Sequence, residues 1–446
     1  MAADKRDPPL RLVCSDELGQ LKVVQTADGD QLGTAAVAST WGQPFKLQWI
    51  DCIALGSASG IGDTASAVLA VARCSGSIEL LSPLAGELLG TIPATPITAA
   101  GSGSAPQQQQ DAVRVRGLHL LWGAGGSGSG SNGGGAEGPP PLPSVLSVTE
   151  GGTASVHAPA AGSRGSWEQQ ASWQVPAGVC CTAYDPATGR LAVGCQGTEL
   201  RLYDCASGDL VFAFKGGKPN SVGLVDRPWN TAIVFLPPLA STDSSGGSDG
   251  GPGDRLLVGT GYQKVRLYDK AKGKRPQMEL AWGEGRVTCM ALEPQSHRVW
   301  LGNGLGQIEV LDVVSRRFSG AVKGLAGGVR ALAVHPTQPV LASVGLDRYL
   351  RLHATHSRRL LAKVYCKTLP TDASMLPPIE QQQERKQRRR KGAASSEDDD
   401  DEEEADEKQE RAPQRKHSKH RGAGGSKRQR DNRRRQQGAG GEARSN

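Results

Sequence analysis

Leu200-Arg201-Leu202-Tyr203-Asp204, Val265-Arg266-Leu267-Tyr268-Asp269 and Ile308-Glu309-Val310-Leu311-Asp312 are three versions of one phrase. A fourth, Leu350-Arg351-Leu352-His353, keeps the strand and loses the terminal Asp. Asp269 and Asp312 are 43 residues apart, and 42 more lead from Asp312 to Ala354, where the next Asp would fall. A period of about 40–45 residues closing on such a phrase is the sequence signature of propeller blades, each a four-stranded antiparallel sheet. Folds of this kind usually present surfaces to partners and do no chemistry of their own.

Outward from these phrases, each blade reads as a β run, a turn, a second run ending in small residues, a further turn, and the phrase itself. The runs are Val179–Tyr184, Arg190–Gly194 and Glu199–Asp204; Thr231–Leu236, Arg255–Gly259 and Lys264–Asp269; Val287–Leu292, Arg298–Gly302 and Gln307–Asp312; and Val329–Val334, Val340–Val344 and Tyr349–His353. Asp185-Pro186, Glu293-Pro294 and His335-Pro336 close the first run at the same place, where proline withdraws a ladder donor and stiffens the turn. Upstream, Leu47–Leu55, Ala67–Ala72 and Ser77–Leu81 suggest one blade, and Val113–Trp122, Ser144–Thr149 and Thr153–His157 another. Leu10–Val13 and Gly19–Val24 look like second and third strands lacking a first. Leu361–Tyr365 supplies an outer strand, and Ala373–Leu376 is placed to supply the missing first one. Six blades plus one shared between the chain ends make seven, and sharing leaves no open sheet edge in the ring. The expected fold is all-β: a seven-bladed WD-repeat propeller over residues 1–376, followed by a disordered charged tail over 377–446.

Composition agrees with a turn-rich β protein diluted by inserts: 59 Gly and only 4% aromatic residues. The inserts, at about 101–110, 123–143 and 241–253, are rich in Gly, Ser, Pro and Gln and read as mobile loops. Their Gly runs lack a following Gly-Lys-Ser/Thr, so they do not read as a phosphate loop. Gly246-Gly-Ser248-Asp-Gly250 matches the hydrolase nucleophile pattern in letters only, without its strand-to-helix context. The nine Cys form no C-x-x-C pair and suggest reduced thiols in an intracellular protein. The N-terminus has no signal-like apolar core and no stretch reaches 18 apolar residues, so a soluble protein with no membrane partner is expected.

The net charge is +7, and charged residues of both signs are densest in the tail. One basic block holds Arg385, Lys386, Arg388, Arg389, Arg390 and Lys391; a second holds Lys427, Arg428, Arg430, Arg433, Arg434 and Arg435. Between them, Ser395 and Ser396 lead into the acidic run Glu397–Glu404 and carry the acid-at-plus-three pattern of acidophilic kinase sites. Almost nothing apolar follows Gly392, so this segment has no core to bury. The basic blocks read as nuclear or nucleolar targeting signals with salt-sensitive, non-specific RNA affinity.

The blades offer no catalytic constellation. His119, His157, His297, His335 and His353 are dispersed without metal spacing, and Asp204, Asp269, Asp312 and Asp347 read as structural anchors. No enzyme activity and no cofactor is expected. The connections between blades and the turns within them share one rim. There the sequence places Lys215, Lys218 and Asn220; Tyr262, Gln263 and Lys264; Lys323 and Arg330; and Asp347, Arg348 and Tyr349. Basic residues interleaved with aromatics suit an acidic protein or an RNA backbone.

Gly259-Thr-Gly-Tyr-Gln-Lys-Val-Arg-Leu-Tyr-Asp269, Lys323-Gly-Leu-Ala-Gly-Gly-Val-Arg330, the stretch from His335 to His353, and Lys363-Val-Tyr-Cys-Lys367 resemble phrases of one WD-repeat family. These are nucleolar ribosome-assembly factors that act on precursors of the large subunit (pre-60S). The resemblance is dense over about 176–368 and thins before it, where the Gly/Ser inserts depart from the family. It implies a non-enzymatic platform for pre-60S assembly and rRNA processing, a monomer within a larger particle. The implied partners are neighbouring assembly factors, a nuclear AAA-type ATPase and an exosome-linked RNA helicase. The competing reading is a WD-repeat scaffold of another nuclear complex, a chromatin or ubiquitin-ligase adaptor. A fluorescent fusion truncated after Pro378 is expected to keep a folded propeller and lose nucleolar enrichment; unchanged localisation would refute the targeting role of the tail.

Overall fold

Runs of Val, Leu, Ile and Ala bounded by Gly, Pro and Asp turns leave the backbone few alternatives to extended pairing. The computed structural model describes residues 9–27, 34–58, 66–94, 114–122, 142–160, 165–219, 223–238 and 251–378. The inserts at 101–110, 123–141 and 241–250, Asn220, Ser395, Ser396 and every targeting residue lie outside these ranges.

The chain begins with β1 (Arg11–Asp16), β2 (Leu21–Thr26) and β3 (Ala35–Trp41). Six sets of four follow. The first is β4 (Ile50–Gly56), β5 (Val68–Arg73), β6 (Ile78–Leu81) and β7 (Leu88–Ile92); the second is β8 (Val115–Leu121), β9 (Ser144–Thr149), β10 (Thr153–Pro159) and β11 (Trp167–Gln174). The third is β12 (Val179–Asp185), β13 (Arg190–Cys195), β14 (Arg201–Asp204) and β15 (Leu210–Ala213); the fourth is β16 (Asn230–Phe235), β17 (Arg255–Thr260), β18 (Lys264–Asp269) and β19 (Met278–Ala281). The fifth is β20 (Val287–Leu292), β21 (Arg298–Asn303), β22 (Ile308–Asp312) and β23 (Arg317–Val322); the sixth is β24 (Val329–Val334), β25 (Val340–Gly345), β26 (Tyr349–Ala354) and β27 (Leu360–Tyr365). The last strand, β28 (Pro370–Leu376), returns to the first sheet, whose order is β28-β1-β2-β3. The pairing runs from Arg11 opposite Leu376 to Ser15 opposite Asp372, so the orphan N-terminal strands find the partner the sequence offered. First strands of adjacent sheets touch in a closed cycle, β28 against β4 and onward to β24 against β28.

Second strands are sandwiched between neighbouring blades and buried along both faces, as in β5, β17 and β25. They end in small residues for a packing reason. A Cβ on Gly259 would sit 2.5 Å from Cγ1 of Val287, and one on Gly302 would sit 3.0 Å from Cγ1 of Val329. Both neighbours belong to the first strand of the following blade. The core is correspondingly divided among blade interfaces: Leu12, Val24, Leu350, Leu352 and Met375 pack at the shared blade, while Trp300 and Tyr268 are wholly buried further round. Fourth strands such as β3 face solvent on most residues.

Ring closure carries its own polar fastening. Lys22 Nζ lies 2.8 Å from Asp16 Oδ2, with both side chains buried. It also donates to the Cys366 carbonyl at 2.7 Å and to Thr368 Oγ1, and that hydroxyl in turn donates to Asp16 at 2.6 Å. A buried ion pair is tolerated only when its remaining hydrogen-bonding capacity is filled, as it is here. On the other side, Asp372 of β28 accepts from the Ile53 N–H at 3.1 Å, and burial pushes its carboxyl up to about 6. All nine cysteines are free thiols. Replacing Lys22→Met leaves Asp16 buried without its counter-ion. The expected loss is about 3 kcal/mol, read as a lower urea midpoint by tryptophan fluorescence; an unmoved midpoint would show that closure does not depend on this pair.

Candidate partner-binding rim

The turns between second and third strands are tied to the connections that lead into their own blade or the next. Gln263 Nε2 donates to the Glu284 carbonyl at 2.8 Å, and the Trp282 N–H to the Gln263 carbonyl at 2.7 Å. One blade on, the Gly304 N–H reaches the Arg286 carbonyl at 3.0 Å; on the next, the Leu346 N–H reaches the Gly328 carbonyl at 2.9 Å. The Cys366 N–H then reaches the Arg348 carbonyl at 2.8 Å. Residues 261–263, 282–286, 304–306, 323–328, 346–348 and 366 therefore form one continuous arc.

Within that arc two turns break a local preference. Gly19, Gly76, Gly152 and Gly306 take the left-handed position of their turns, with φ of 80°, 84°, 94° and 91°. In the corresponding places stand Gln263 at φ 63° and Arg348 at φ 66°. A side chain in this region costs roughly 1 kcal/mol or more, and such costs gather where a surface is used.

A β-bulge also stands at the second position of every first strand, all seven of them at the same end of their blades as the arc. The register skips Asp51, Arg116, Cys180, Thr231, Thr288, Arg330 and Thr371. Bulges re-aim side chains, and these seven ring the mouth of the central channel. Asp51 is taken by Arg114 at 3.2 Å and Arg116 by Glu150 at 2.8 Å. Arg330 is exposed and makes no ion pair among the described residues.

The sequence-derived rim residues divide into three groups. Tyr262, Gln263, Lys323, Arg330 and Arg348 are exposed on the arc. Tyr262 is 42% exposed and meets Trp229 edge-on, ring centroids 5.7 Å apart. A second group is on the arc but satisfied within the chain. Lys264 contacts Asp226 at 2.6 Å and Glu279 at 3.1 Å; Asp226 chiefly, then Glu279, raises its ammonium above the ordinary value. Burial pushes the Asp347 carboxyl up, but its ion pair with Arg351 and backbone donors outweigh this and leave it below the usual range. Tyr349 has Lys363 Nζ 4.0 Å above its ring and Tyr365 at 5.1 Å.

Lys215 and Lys218 form the third group, exposed but pinned elsewhere. The Lys215 N–H donates to the Lys274 carbonyl at 2.7 Å, and Arg275 to the Gly217 carbonyl at 3.1 Å. Residues 270–277 join β18 to β19 at the end away from the 261–263 turn, so these lysines sit on the outer flank of the fourth blade. The sequence reading passed over Arg286, Leu305 and Leu346 on the arc. Arg286 is exposed, and the two leucines are 58% and 44% exposed at turn tips. An apolar residue between two glycines, as in Gly304-Leu305-Gly306, was the available signal.

The opposite end of the channel opens into a cavity of about 910 Å³. Leu55, Leu118, Trp122, Tyr184 and Met375 line it together with His119. His119 Nε2 shares a hydrogen bond with Thr182 Oγ1 at 2.8 Å, and burial pushes the imidazole down to about 4. Among the described residues, no group of three or more His, Cys, Asp or Glu is placed to hold a metal ion.

Seven four-stranded blades, three of them closing on the recurring apolar-Asp phrase, define a WD-repeat propeller. No protein-family model matches the chain. Among curated proteins it is similar to human WD repeat-containing protein 74, 38% identical over 199 residues, 44% of this chain and 48% of that protein. It is also similar to the fission-yeast (Schizosaccharomyces pombe) ribosome biogenesis protein nsa1, 28% identical over 174 residues, 39% of this chain and 44% of that one. The Candida glabrata protein NSA1, of the same description, is 27% identical over 212 residues, 41% of this chain and 48% of that protein. The chain thus spans about half the length of the relatives it matches. They are WD-repeat and ribosome-biogenesis proteins, the kind the repeat phrases resemble.

The His119 imidazole supplies a pH test of the channel packing. Its folded value lies below the unfolded one, so its contribution is complete above about pH 6.5 and is lost as pH falls toward about 4. The displacement corresponds to about 3 kcal/mol. His119→Gln is expected to flatten that acid-side decline in urea midpoint; an identical decline in both proteins would show that His119 takes up a proton freely.

Proposed function

We propose that this chain is a non-enzymatic assembly factor in large ribosomal subunit biogenesis, a propeller that docks through its rim onto pre-60S particles and acts in the nucleolus. The observation that carries the reading is the likeness to proteins described as ribosome biogenesis proteins, in a fold whose rim turns hold unpaired charge on a rigid support. Loops fixed by a scaffold are where binding concentrates. Neighbouring assembly factors are the proposed partners, with the AAA-type ATPase and the exosome-linked helicase acting on the same particle, and the basic tail is assigned to targeting and to non-specific RNA contact.

Within the rim, Lys323, Arg330 and Arg348 are the residues to reverse, because they make no ion pair among the described residues. Lys323→Glu, Arg330→Glu and Arg348→Glu together are expected to weaken co-sedimentation with large-subunit precursor RNA by on the order of tenfold at low salt, and less as salt rises. Tyr262→Ala is expected to cost about 2 kcal/mol if its ring is covered in the contact. Reversing Lys215 and Lys218 should change little. A folded triple variant that co-sediments fully would move the docking face to the opposite end of the channel.

A further inference from the structure

We infer that the arc holding Arg286, Leu305, Lys323, Arg330, Leu346 and Arg348 receives an acidic protein segment carrying apolar side chains, and not RNA. This deepens the docking role proposed above and rests on it. The four cations are exposed and make no ion pair among the described residues. The acids nearby do not cancel them: Asp347 is held by Arg351, and Glu309 accepts the Trp282 indole N–H at 2.9 Å, which leaves Glu284 as the exposed carboxylate of this stretch. Among the described residues, positive charge therefore faces outward with no carboxylate paired to it.

Two further observations separate protein from RNA. Leu305 and Leu346 stand at adjacent turn tips among the cations: an added Cβ on Gly306 would meet the Gly327 carbonyl at 2.6 Å, and one on Gly327 would meet Leu346 Cβ at 3.4 Å. Exposed leucines have no counterpart in a phosphate backbone, but they supply the apolar centre of a protein interface with a charged surround. The aromatic rings that bases would stack on are in part engaged within the chain. Tyr349 is covered by Lys363 and Tyr365, and Tyr262 lies edge-on to Trp229. Sequence-specific single-stranded RNA recognition depends on open aromatic faces.

The test places a photo-crosslinking benzophenone amino acid at Leu305 or Leu346 in the full-length protein in cells, with Leu88, 60% exposed on the outer strand β7, as the comparison site. Crosslinked peptides are sequenced and crosslinked RNA is scored in parallel. The expected result is crosslinking at both rim positions, above that at Leu88, to protein segments rich in Asp and Glu. Arg286→Glu, Arg330→Glu and Arg348→Glu together should reduce that yield by at least about fivefold. Crosslinks to RNA, to neutral or basic segments, or no yield above Leu88 would overturn the inference. If the acidic segment belongs to a chromatin or ubiquitin-ligase complex, the inference stands and the ribosome-assembly reading fails; if RNA of a pre-60S particle is captured, the reverse holds.

Discussion

Pairing of β1 with β28 is the contact on which the rest of the molecule depends. A propeller blade has no stable existence as an isolated sheet with two open edges and two apolar faces. Its faces are covered by neighbours on both sides, so every interface is complete only if the ring is closed. Here closure joins residues near opposite ends of the described chain, Arg11 opposite Leu376. The buried Lys22–Asp16 pair and its bonds to Cys366 and Thr368 fasten the same junction. Long-range contacts of this kind carry a loop-closure cost that grows only slowly with the length of chain between them, so a ring can accommodate long inserts elsewhere without loss of its closing seam.

Closure fixes blade spacing, and blade spacing fixes the rim. Because Gly259 and Gly302 bring the next first strand within side-chain contact, the turns at that end lie against the connections between blades. The hydrogen bonds from 263 to 284, 304 to 286, 346 to 328 and 366 to 348 accompany this packing. The side chains that project from this belt are held on a frame with little freedom to collapse. That is why Arg330 and Arg348 remain extended to solvent while Lys264, whose neighbours Asp226 and Glu279 lie within reach, is neutralised. The rim is thus not uniformly basic. It is a pattern of satisfied and unsatisfied cations, and only the second kind has free energy to give to a partner.

The strands that face two neighbours were legible in the sequence, because burial on both sides demands continuous apolar runs such as those of β5, β17 and β25. The third strands were legible through the recurring phrase, and the seventh blade through its orphan strands. The outer strands β3, β7, β11, β15, β19 and β23 were not read, since they are paired along one edge and mostly solvated, and a polar segment such as Trp167–Gln174 has no periodic signature. The candidate rim was found in outline for the same reason that the blades were: turns lie between runs at fixed intervals. Its chemistry was read only in part.

What the sequence by itself determined is the number of blades, the shared seventh, and which connections fall at one end, because these follow from the periodicity of apolar residues and the placing of Gly and Pro. What only the tertiary structure decided is which charges are free. Lys264 and Arg330 look alike in the chain, yet one is held between two carboxylates brought from residues 226 and 279, and the other stands at a bulge with no ion pair among the described residues. Likewise Lys215 and Lys218 follow a blade as the other rim residues do, but their segment is bonded to residues 274 and 275 and carried down the flank. Ionic partnership depends on distance in space, screened beyond about 8–10 Å in salt water, and no local pattern of residues encodes which distant acid the fold will deliver.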